Sequence, residues 1–459
     1  MPKTSSLGWA GFSLQALVVA AGRLAHAAAP VNLPVEQHRL DNGLQVILAP
    51  DDSLPDVAVA VRYDVGSADD PNGLEGLAHL VEHVRFKGYA HVAPGDHMRL
   101  LEQVGAGYVQ GATTRDGTYY IETVPPEALD LALWLESDRM GFAPEQLDEA
   151  AEKHEQTIVS HEYRWRTFDS PNSRLAEMMN NEVFPAWHPY HVPSDGLAAI
   201  GNIGPRDVRA FMRTWYTPAN ARLVLAGAFE PGAALDLVTR YFGSLPSTDP
   251  PKRPPLPPTW RPGDVVMNVL AQVQHKSVLV AWATPPLHEP GDRELDLAAR
   301  ILTGPDGLLV RELVERGLAT GVTARQASSR RGSMFYLSIV VTDGGSVEPL
   351  ARVIEQSLAT LSAGVKEEVV ARARKWWTDV RLVGLETSTA RAGRLALVDD
   401  VSDPWDLAAY GRIDSGDVAA AVGRWLVPAQ RVAAVVYPSG RPLPVGVHGI
   451  IESREKRMP

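Results

Sequence analysis

A stretch rich in proline divides this chain into two blocks. It reads LPSTDPPKRPPLPPTWRP and runs from Leu245 to Pro262. Because proline fixes its own φ and lacks an N–H group, this density of proline excludes a regular helix or a central strand. The pattern predicts a linker over residues 246–262 between an N-terminal domain, residues 34–245, and a C-terminal domain, residues 263–445. Both blocks have the size of ordinary domains.

The two blocks share an order of elements, which indicates an internal duplication. In the first block, the segment that begins at Thr113 reads TTRDGTYYIETVPPEALDLALWLE, a polar turn followed by an alternating strand and a helix. In the second block, SSRRGSMFYLSIVVTDGGSVEPLARVIEQSL begins at Ser328 and repeats this order, and Gly332 lies 215 residues after Gly117. Strands and helices mix without regular βαβ alternation. We therefore predict two homologous α+β domains, each a mostly antiparallel sheet with helices packed on one face.

Composition narrows the chemistry that the chain can carry. The formal net charge is -11 and no dense stripe of Lys and Arg occurs, so a nucleic-acid partner is not expected. The chain has no cysteine, which excludes disulfides, thiolate metal sites and a cysteine nucleophile. Any transition-metal site must use histidine and carboxylate ligands.

The N-terminus has the pattern of a secretory signal peptide. Lys3 precedes an apolar run from Trp9 to Ala21, and small residues around Ala25 and Ala27 follow. The alternative is an ordinary N-terminal tail, since Arg23 is unusual so close to the apolar run. We predict that residues 1–27 are a signal peptide and that the protein is exported to the periplasm. No later segment approaches the ~20 apolar residues of a membrane span, so no membrane partner is expected.

The pentapeptide HLVEH is the strongest chemical signal in the chain. Its histidines, His79 and His83, stand at i and i+4 and so project from one face of a helix. This separation lets two imidazoles reach one Zn²⁺, and Glu82 on the same face can act as a general base. The order is the H-x-x-E-H signature of inverzincins. The alternative is an amphipathic core helix with two incidental histidines, so a third ligand is needed to decide.

Candidates for the third ligand lie on the segment PEQLDEAAEKHEQTIVSHEYRWR. Glu155, Ile158 and Glu162 fall at i, i+3 and i+7 and therefore share one helix face. Carboxylates within an otherwise apolar stripe are costly to bury unless they bind a metal or hydrogen-bond to its ligands. The alternative is a solvated helix face. His154 and His161 share a neighbouring face and remain backup ligands.

These segments resemble the pitrilysin family, which includes insulin-degrading enzyme and the mitochondrial processing peptidase. GLAHLVEHVRFKG is similar to the family's metal helix, and EQTIVSHE to the helix that supplies its third zinc ligand. GAGYVQGATTRDGTYYIETVP is similar to its glycine-rich turn and substrate-side strand, and ERGLATGV to a motif of its second domain. The resemblance extends from about Asn42 to Tyr437.

The resemblance implies a zinc-dependent endopeptidase with one Zn²⁺ per chain. Residue by residue, it makes His79, His83 and Glu162 the zinc ligands and Glu82 the general base that activates a zinc-bound water. It also assigns to Glu155 a role outside the ligands, where it supports the site. Peptide substrate would lie in a closed chamber between the domains, added as a strand along a sheet edge whose expected contacts are Gln110, Gly111, Ala112 and Thr113.

Two departures from the family qualify this expectation. Gln110 stands where many members have asparagine. More importantly, active relatives carry an arginine and a tyrosine in a motif R-E-x-R-G-L-A-Y, and here the aligned residues are Leu313 and Thr320. The loss of one oxyanion donor can cost ~10²–10³ in rate. We therefore expect a heterodimer with a sister subunit that supplies the Arg/Tyr pair, or otherwise a homodimer. Arg311 and Arg316 lie near the gap and are possible substitutes.

Other functions remain open at this stage. The main alternative is a non-catalytic scaffold or peptide-binding subunit of the same family, which Leu313 and Thr320 favour and the intact zinc motif opposes. A metal-dependent hydrolase of small molecules fits a large duplicated frame less well. His188 and His191 lie in a proline-bounded loop without regular spacing, which is more typical of structural histidines.

Overall fold

A computed structural model describes residues 34–142, 149–165, 170–193, 196–249, 251–256, 262–398, 403–440 and 450–452. Residues 35–459 form one compact unit. The predicted signal peptide, residues 1–27, lies outside the described residues. Below, the first half means the chain before residue 246 and the second half means the chain after residue 262; the domain boundaries at these positions stay a prediction.

Each half contributes a six-stranded mixed sheet. The strands of the first sheet are β1 Glu36–Arg39, β2 Gln45–Pro50, β3 Val57–Tyr63, β4 Tyr108–Thr113, β5 Thr118–Val124 and β6 Ala221–Gly227. The strands of the second are β7 Val265–Ala271, β8 Ser277–Thr284, β9 Ala319–Ala327, β10 Ser333–Val341, β11 Arg431–Pro438 and β12 Ile450–Glu452.

Helices follow the strands in both halves. Those of the first half are α1 Leu77–Val84, α2 Asp96–Gln103, α3 Leu129–Phe142, α4 Glu149–Tyr163, α5 Pro171–Val183, α6 Gly196–Asn202, α7 Pro205–Trp215 and α8 Pro231–Phe242. Those of the second half are α9 Asp292–Thr303, α10 Glu348–Ser362, α11 Glu367–Val383, α12 Ser388–Leu397, α13 Leu407–Gly411 and α14 Ser415–Trp425. None of the described helices combines the length and the apolar character that crossing a bilayer requires.

The two sheets share the topology of five strands and differ in the sixth, because β1 pairs antiparallel with β2 and β12 pairs parallel with β7. The first has the strand order β1-β2-β6-β3-β5-β4 and the second β12-β7-β11-β8-β10-β9. In both, the first long strand pairs in parallel with the last long strand, and the three strands beyond this pair are antiparallel to their neighbours. The predicted α+β class is therefore confirmed, and the shared order supports the duplication. β4 and β9 occupy equivalent edges.

Each sheet also receives a helix from the other half of the chain on its second face. In β3, which reads VAVAVRY, the valines belong to the main core of the first half, while Ala58 and Ala60 are buried on the opposite face. There α12 packs against β3 and β6. Ser388, at the start of α12, donates to Asp56 at 2.6 Å, and Arg62 donates to the carbonyl of Ala396 near its end at 3.3 Å.

The reciprocal contact uses α5. Its residues Leu175, Met179 and Val183 form an apolar cluster with strands β7, β8 and β11 of the second sheet. The predicted arrangement with helices on one face therefore describes only part of the packing. Because both faces of both sheets are covered, the central strands are apolar along most of their length, with Arg62 in β3 and Arg222 in β6 as exceptions. In the linker, residues 246–249 and 251–256 form neither helix nor strand.

Candidate metal centre

The helix that carries HLVEH is fixed by its apolar face and by its first turn. Gly76 precedes α1 with φ 96, a left-handed conformation that favours glycine. The carboxylate of Asp70 accepts hydrogen bonds of 2.8 Å from the N–H groups of Gly76 and Ala78. Burial raises the pKa of Asp70 to about 7, although these two N–H groups act in the opposite direction. Leu80 and Val84 are buried in the core, so the helix is fixed with His79 and His83 on its partly exposed face.

Three of the predicted ligands converge. The Nε2 atoms of His79 and His83 each lie 3.8 Å from an oxygen of Glu162, and one donor atom from each residue lies within 4.8 Å of the others. Two donors that each lie ~2.1 Å from one zinc ion are at most ~4.2 Å apart, and the two Nε2–oxygen distances of 3.8 Å lie within this limit. The imidazoles and the carboxylate also form a donor set that zinc accepts. The residues present therefore fit the metal.

Helix α4 presents Glu162 to α1 and turns its histidines away. Gln156 anchors α4 by donating to the carbonyls of Ile200 and Ile203, at 2.6 and 3.0 Å. His154 and His161, the backup ligands, are exposed and do not join the three donors.

Glu155 supports His83 from the side opposite Glu162. Its side chain is 2% exposed, and its carboxylate lies 3.3 Å from Nδ1 of His83 and 3.1 Å from Nζ of Lys87. A histidine that donates its Nδ1–H to a carboxylate keeps Nε2 free for a metal and has a fixed ring orientation. The sequence analysis did not identify Lys87, although it stands four residues after His83 and so follows the same helical face.

Glu82 lies between α1 and the edge strand β4. It is 7% exposed and accepts a 2.7 Å hydrogen bond from the hydroxyl of Thr113. A Cβ atom at Gly111 would lie 2.9 Å from Oε1 of Glu82 and 2.8 Å from Cε2 of Phe86. Only glycine allows the strand to approach the carboxylate this closely.

The four residues predicted to bind substrate form part of β4, and they divide between its two faces. Gly111 and Thr113 face α1, whereas Gln110 and Ala112 point to the opposite side, as the period of two dictates. The hydroxyl of Tyr108 donates to Gln110 on that side. Among the described strands β4 pairs with β5 alone, so one row of its backbone groups faces away from the sheet and can pair with another strand.

Leu313 and Thr320, which stand in place of the Arg/Tyr pair, have different environments. Leu313 is fully buried in the core of the second half, on a π-helical turn formed by Val310–Val314. Thr320 is exposed on β9 and donates weakly to the carbonyl of Val340 at 3.4 Å. Arg316 forms an exposed ion pair of 2.7 Å with Glu312.

The loop histidines have structural contacts. His188 accepts a hydrogen bond from the N–H of Tyr190 and donates to the carbonyl of Arg331, at 3.1 Å in each case. Burial lowers its pKa to about 4. His191 donates to the carbonyl of Phe184 at 2.8 Å. A second group with metal-ligating side chains, His97, Glu122 and Glu136, is buried behind α1 and was not anticipated.

The chain matches known proteins along most of its length. Residues 45–184 match the model described as Insulinase (Peptidase family M16), and residues 202–375 match the model described as Peptidase M16 inactive domain. The zinc protease PqqE of Helicobacter pylori is 28% identical over 347 residues, which are 74% of this chain and 76% of that protein.

Solved structures share the fold. A protease from Helicobacter pylori superposes with a TM-score of 0.79 and 24% identity, over 88% of this chain and 100% of that one. Pitrilysin superposes with a TM-score of 0.76 and 21% identity, over 91% of this chain and 46% of its own. This chain thus spans less than half of the pitrilysin chain. With both halves of the sequence matched by models of one family, the chain belongs to peptidase family M16, the insulinase family.

Proposed function

We propose that this protein is a zinc-dependent endopeptidase. The observation that carries the proposal is the convergence of His79, His83 and Glu162 next to Glu82 and beside a free sheet edge. A zinc ion supplies a Lewis acid that polarises water and a substrate carbonyl. The remaining chemistry belongs to the protein's own side chains.

Glu82 is the general base of this proposal. Its buried carboxylate takes a proton from the attacking water and returns it to the leaving amine. The hydroxyl of Thr113 holds one of its oxygens, which fixes the direction of the other. Glu155, which is itself paired with Lys87, holds His83 in the orientation that keeps Nε2 directed at Glu162.

Substrate binding is assigned to the free edge of β4. A peptide that pairs with this edge is held by its backbone, so its side chains contribute less to affinity than its extended shape. Thr113 belongs to β4 and contacts Glu82 directly, so the strand that would bind the substrate also orients the base. This arrangement favours peptides or unfolded segments as substrates.

Stabilisation of the oxyanion is assigned to a second chain. Leu313 is buried among apolar side chains and cannot carry a charge into the site, and Thr320 offers a hydroxyl on a short side chain. A sister subunit with Arg and Tyr at these positions would complete a heterodimer; a homodimer is the alternative. The same two positions favour a second candidate function, a non-catalytic peptide-binding subunit that holds zinc without turnover.

Export is part of the proposal. The pattern of charge, apolar run and small residues over residues 1–27 supports a signal peptide and a periplasmic location.

The test is a peptidase assay on the purified chain, alone and mixed with a homologous chain that carries the Arg/Tyr pair. We expect cleavage of unfolded peptides to rise at least ~10²-fold in the mixture, because the oxyanion donors are restored. Glu82→Gln should keep zinc and abolish this cleavage, while Glu102→Gln, an exposed change on α2, should leave it unchanged. Wild-type turnover by Glu82→Gln would show that Glu82 is not the general base. Full activity of the isolated chain would show that no sister subunit is needed. Zinc binding without cleavage in either preparation would favour the non-catalytic subunit.

A further inference from the structure

Behind the metal helix lies a cluster of buried charged side chains. His97 on α2, Glu122 on β5, and Glu136 and Arg139 on α3 are each at most 1% exposed. Donor atoms of His97, Glu122 and Glu136 lie within 4.8 Å of one another. None of these residues belongs to the proposed zinc site. Charged groups this deeply buried are costly unless they compensate one another.

The contacts form a chain from Tyr89 to Arg139. The hydroxyl of Tyr89 contacts Nδ1 of His97, and Nε2 of His97 lies 3.5 Å from an oxygen of Glu122. Arg139 donates two hydrogen bonds to Glu136, one to each oxygen, with Nε 3.2 Å from Oε2. Among the described residues, neither oxygen of Glu122 has a hydrogen-bond donor. Glu122 and Glu136 therefore face each other with too few donors for two carboxylates.

Charge balance decides between a metal ion and a proton in this gap. Burial lowers the pKa of His97 to about 3, so the imidazole is neutral. Two carboxylates and one guanidinium then leave a net charge of about -1. A divalent ion would overcompensate this charge and would sit next to Arg139, whereas one proton balances it. Burial raises the pKa of both Glu122 and Glu136 to about 7, which favours the proton.

The donors indicate which carboxyl group carries the proton. Glu136 accepts two hydrogen bonds from a cation, an arrangement that stabilises its ionised form. Glu122 has no comparable donor and is the better site for the proton, which it can donate to Glu136. The charges of the cluster then balance, and the paired hydrogen bonds to Glu136 fix the position of Arg139.

Arg139 and its neighbours enclose Phe86, which follows the metal helix. The guanidinium lies 4.9 Å from the centre of the Phe86 ring, and the rings of His97 and Tyr120 meet it edge-on at 5.7 and 5.4 Å. A Cβ atom at Gly111 on β4 would lie 2.8 Å from Cε2 of the same ring, so β4 approaches Phe86 closely at this glycine. Phe86 is thus the spacer between the buried cluster and the strand that holds Glu82.

We propose that Glu122, Glu136 and Arg139 are positioning residues: a carboxyl pair that shares one proton locks Arg139 over Phe86, and Phe86 sets the distance between β4 and Glu82. The inference rests on the proposed peptidase function for its effect on turnover. The effect of these residues on the position of β4 can be measured without any assay of turnover.

The test is a matched pair of variants in the full-length chain with its zinc. Glu122→Gln replaces the protonated carboxyl group with an amide that still donates to Glu136, so kcat and KM should stay within twofold of wild type. Glu136→Gln makes the same chemical change at the carboxylate that binds Arg139, and it breaks the paired hydrogen bonds to that arginine. We expect it to lower kcat at least tenfold with the zinc content unchanged. Arg139→Lys, which keeps the charge but loses the planar contact with Phe86, should act in the same direction.

Hydrogen exchange provides the measurement that is independent of activity. In Glu136→Gln, the amides of residues 108–113 should exchange at least tenfold faster, while those of residues 221–227 in β6 keep the wild-type rate. Equal exchange increases in both strands would indicate general destabilisation and overturn the positioning role. Equal damage from Glu122→Gln and Glu136→Gln, or a second bound metal ion that both variants lose, would overturn the shared proton. If the wild-type protein does not cleave peptides, the proposed function fails while the exchange data still decide this inference.

Discussion

The two halves of this protein place different side chains on the same backbone arrangement. Both α1 and α9 follow the second long strand of their sheet, and each begins after a glycine with left-handed backbone geometry, φ 96 at Gly76 and φ 106 at Gly291. These glycines are 215 residues apart, the same offset that separates Gly117 from Gly332. Helix α1 of the first half therefore has a direct counterpart in the second.

At this offset, the chemistry of the first half is replaced by core packing. Leu297 and Ala298, both fully buried, stand 215 residues after Glu82 and His83. On the helix that packs against α9, Val370 and Trp377 stand at the same offset from Glu155 and Glu162. The indole N–H of Trp377 donates to the carbonyl of Asp296 on α9 at 3.2 Å.

The difference shows that the scaffold does not require its polar residues. At the positions equivalent to Glu82, His83, Glu155 and Glu162 the second half has apolar side chains, which stabilise a core most directly. The first half keeps carboxylates at Glu82 and Glu155, which cost free energy to bury and need partners such as Thr113 and Lys87. Polar residues retained at such a cost indicate a functional site.

The largest expected effect comes from moving this polarity into the second half. Val370→Glu introduces the carboxylate of Glu155 at a fully buried position in the apolar core of the second half. An unpaired buried carboxylate should lower the free energy of unfolding by about 3–5 kcal/mol. Arg372→Glu, on the exposed side of the same helix, is the control and should change it by less than about 0.5 kcal/mol. Urea denaturation measures both, and equal stability of the two variants would contradict the comparison.

A smaller effect is expected when the support of the metal ligands is weakened in the first half. Glu155→Gln keeps the size of the side chain but removes the charge that holds His83 and Lys87. Loss of such a partner typically weakens metal binding about 10–100-fold. A zinc competition assay with a chromophoric chelator measures the affinity. His154→Gln, an exposed change on the same helix, should leave it unaltered, and an unaltered affinity in Glu155→Gln as well would remove Glu155 from the site.

The smallest effect concerns pH and the buried carboxyl pair of the first half. Burial raises the pKa of Glu122 from its ordinary 4.5 to about 7. The folded protein therefore binds this proton more tightly than the unfolded chain, and stability is lost as the pH rises from about 4.5 through 7. Between pH 5 and pH 7, wild type should lose about 1–2 kcal/mol more stability than Glu122→Gln, which has no proton to release. Parallel denaturation curves would show that Glu122 does not titrate in this range.

Local patterns in the sequence predicted much of the fold and of the candidate site. The spacing of His79, Glu82 and His83, and the shared face of Glu155 and Glu162, follow from helix geometry alone, and the structure brings these residues together. The shared order of strands and helices predicted the repeated fold. The arrangement of α5 and α12 on the opposite sheets was not predictable, because it joins residues such as Arg62 and Ala396 that are far apart in sequence. The buried cluster had one detectable signal, a glutamate at Glu122 on the same strand face as the buried Tyr120.

We expect the first half, and not the second, to hold a single zinc ion. The most direct test is elemental analysis of the purified chain after equilibration with zinc and removal of loosely bound metal. We expect one zinc ion per chain in the wild type and close to none in His83→Ala. Glu294→Ala, at the position in the second half equivalent to His79, should keep one zinc ion per chain. A wild-type chain without tightly bound zinc, or one whose zinc survives His83→Ala, would contradict this expectation.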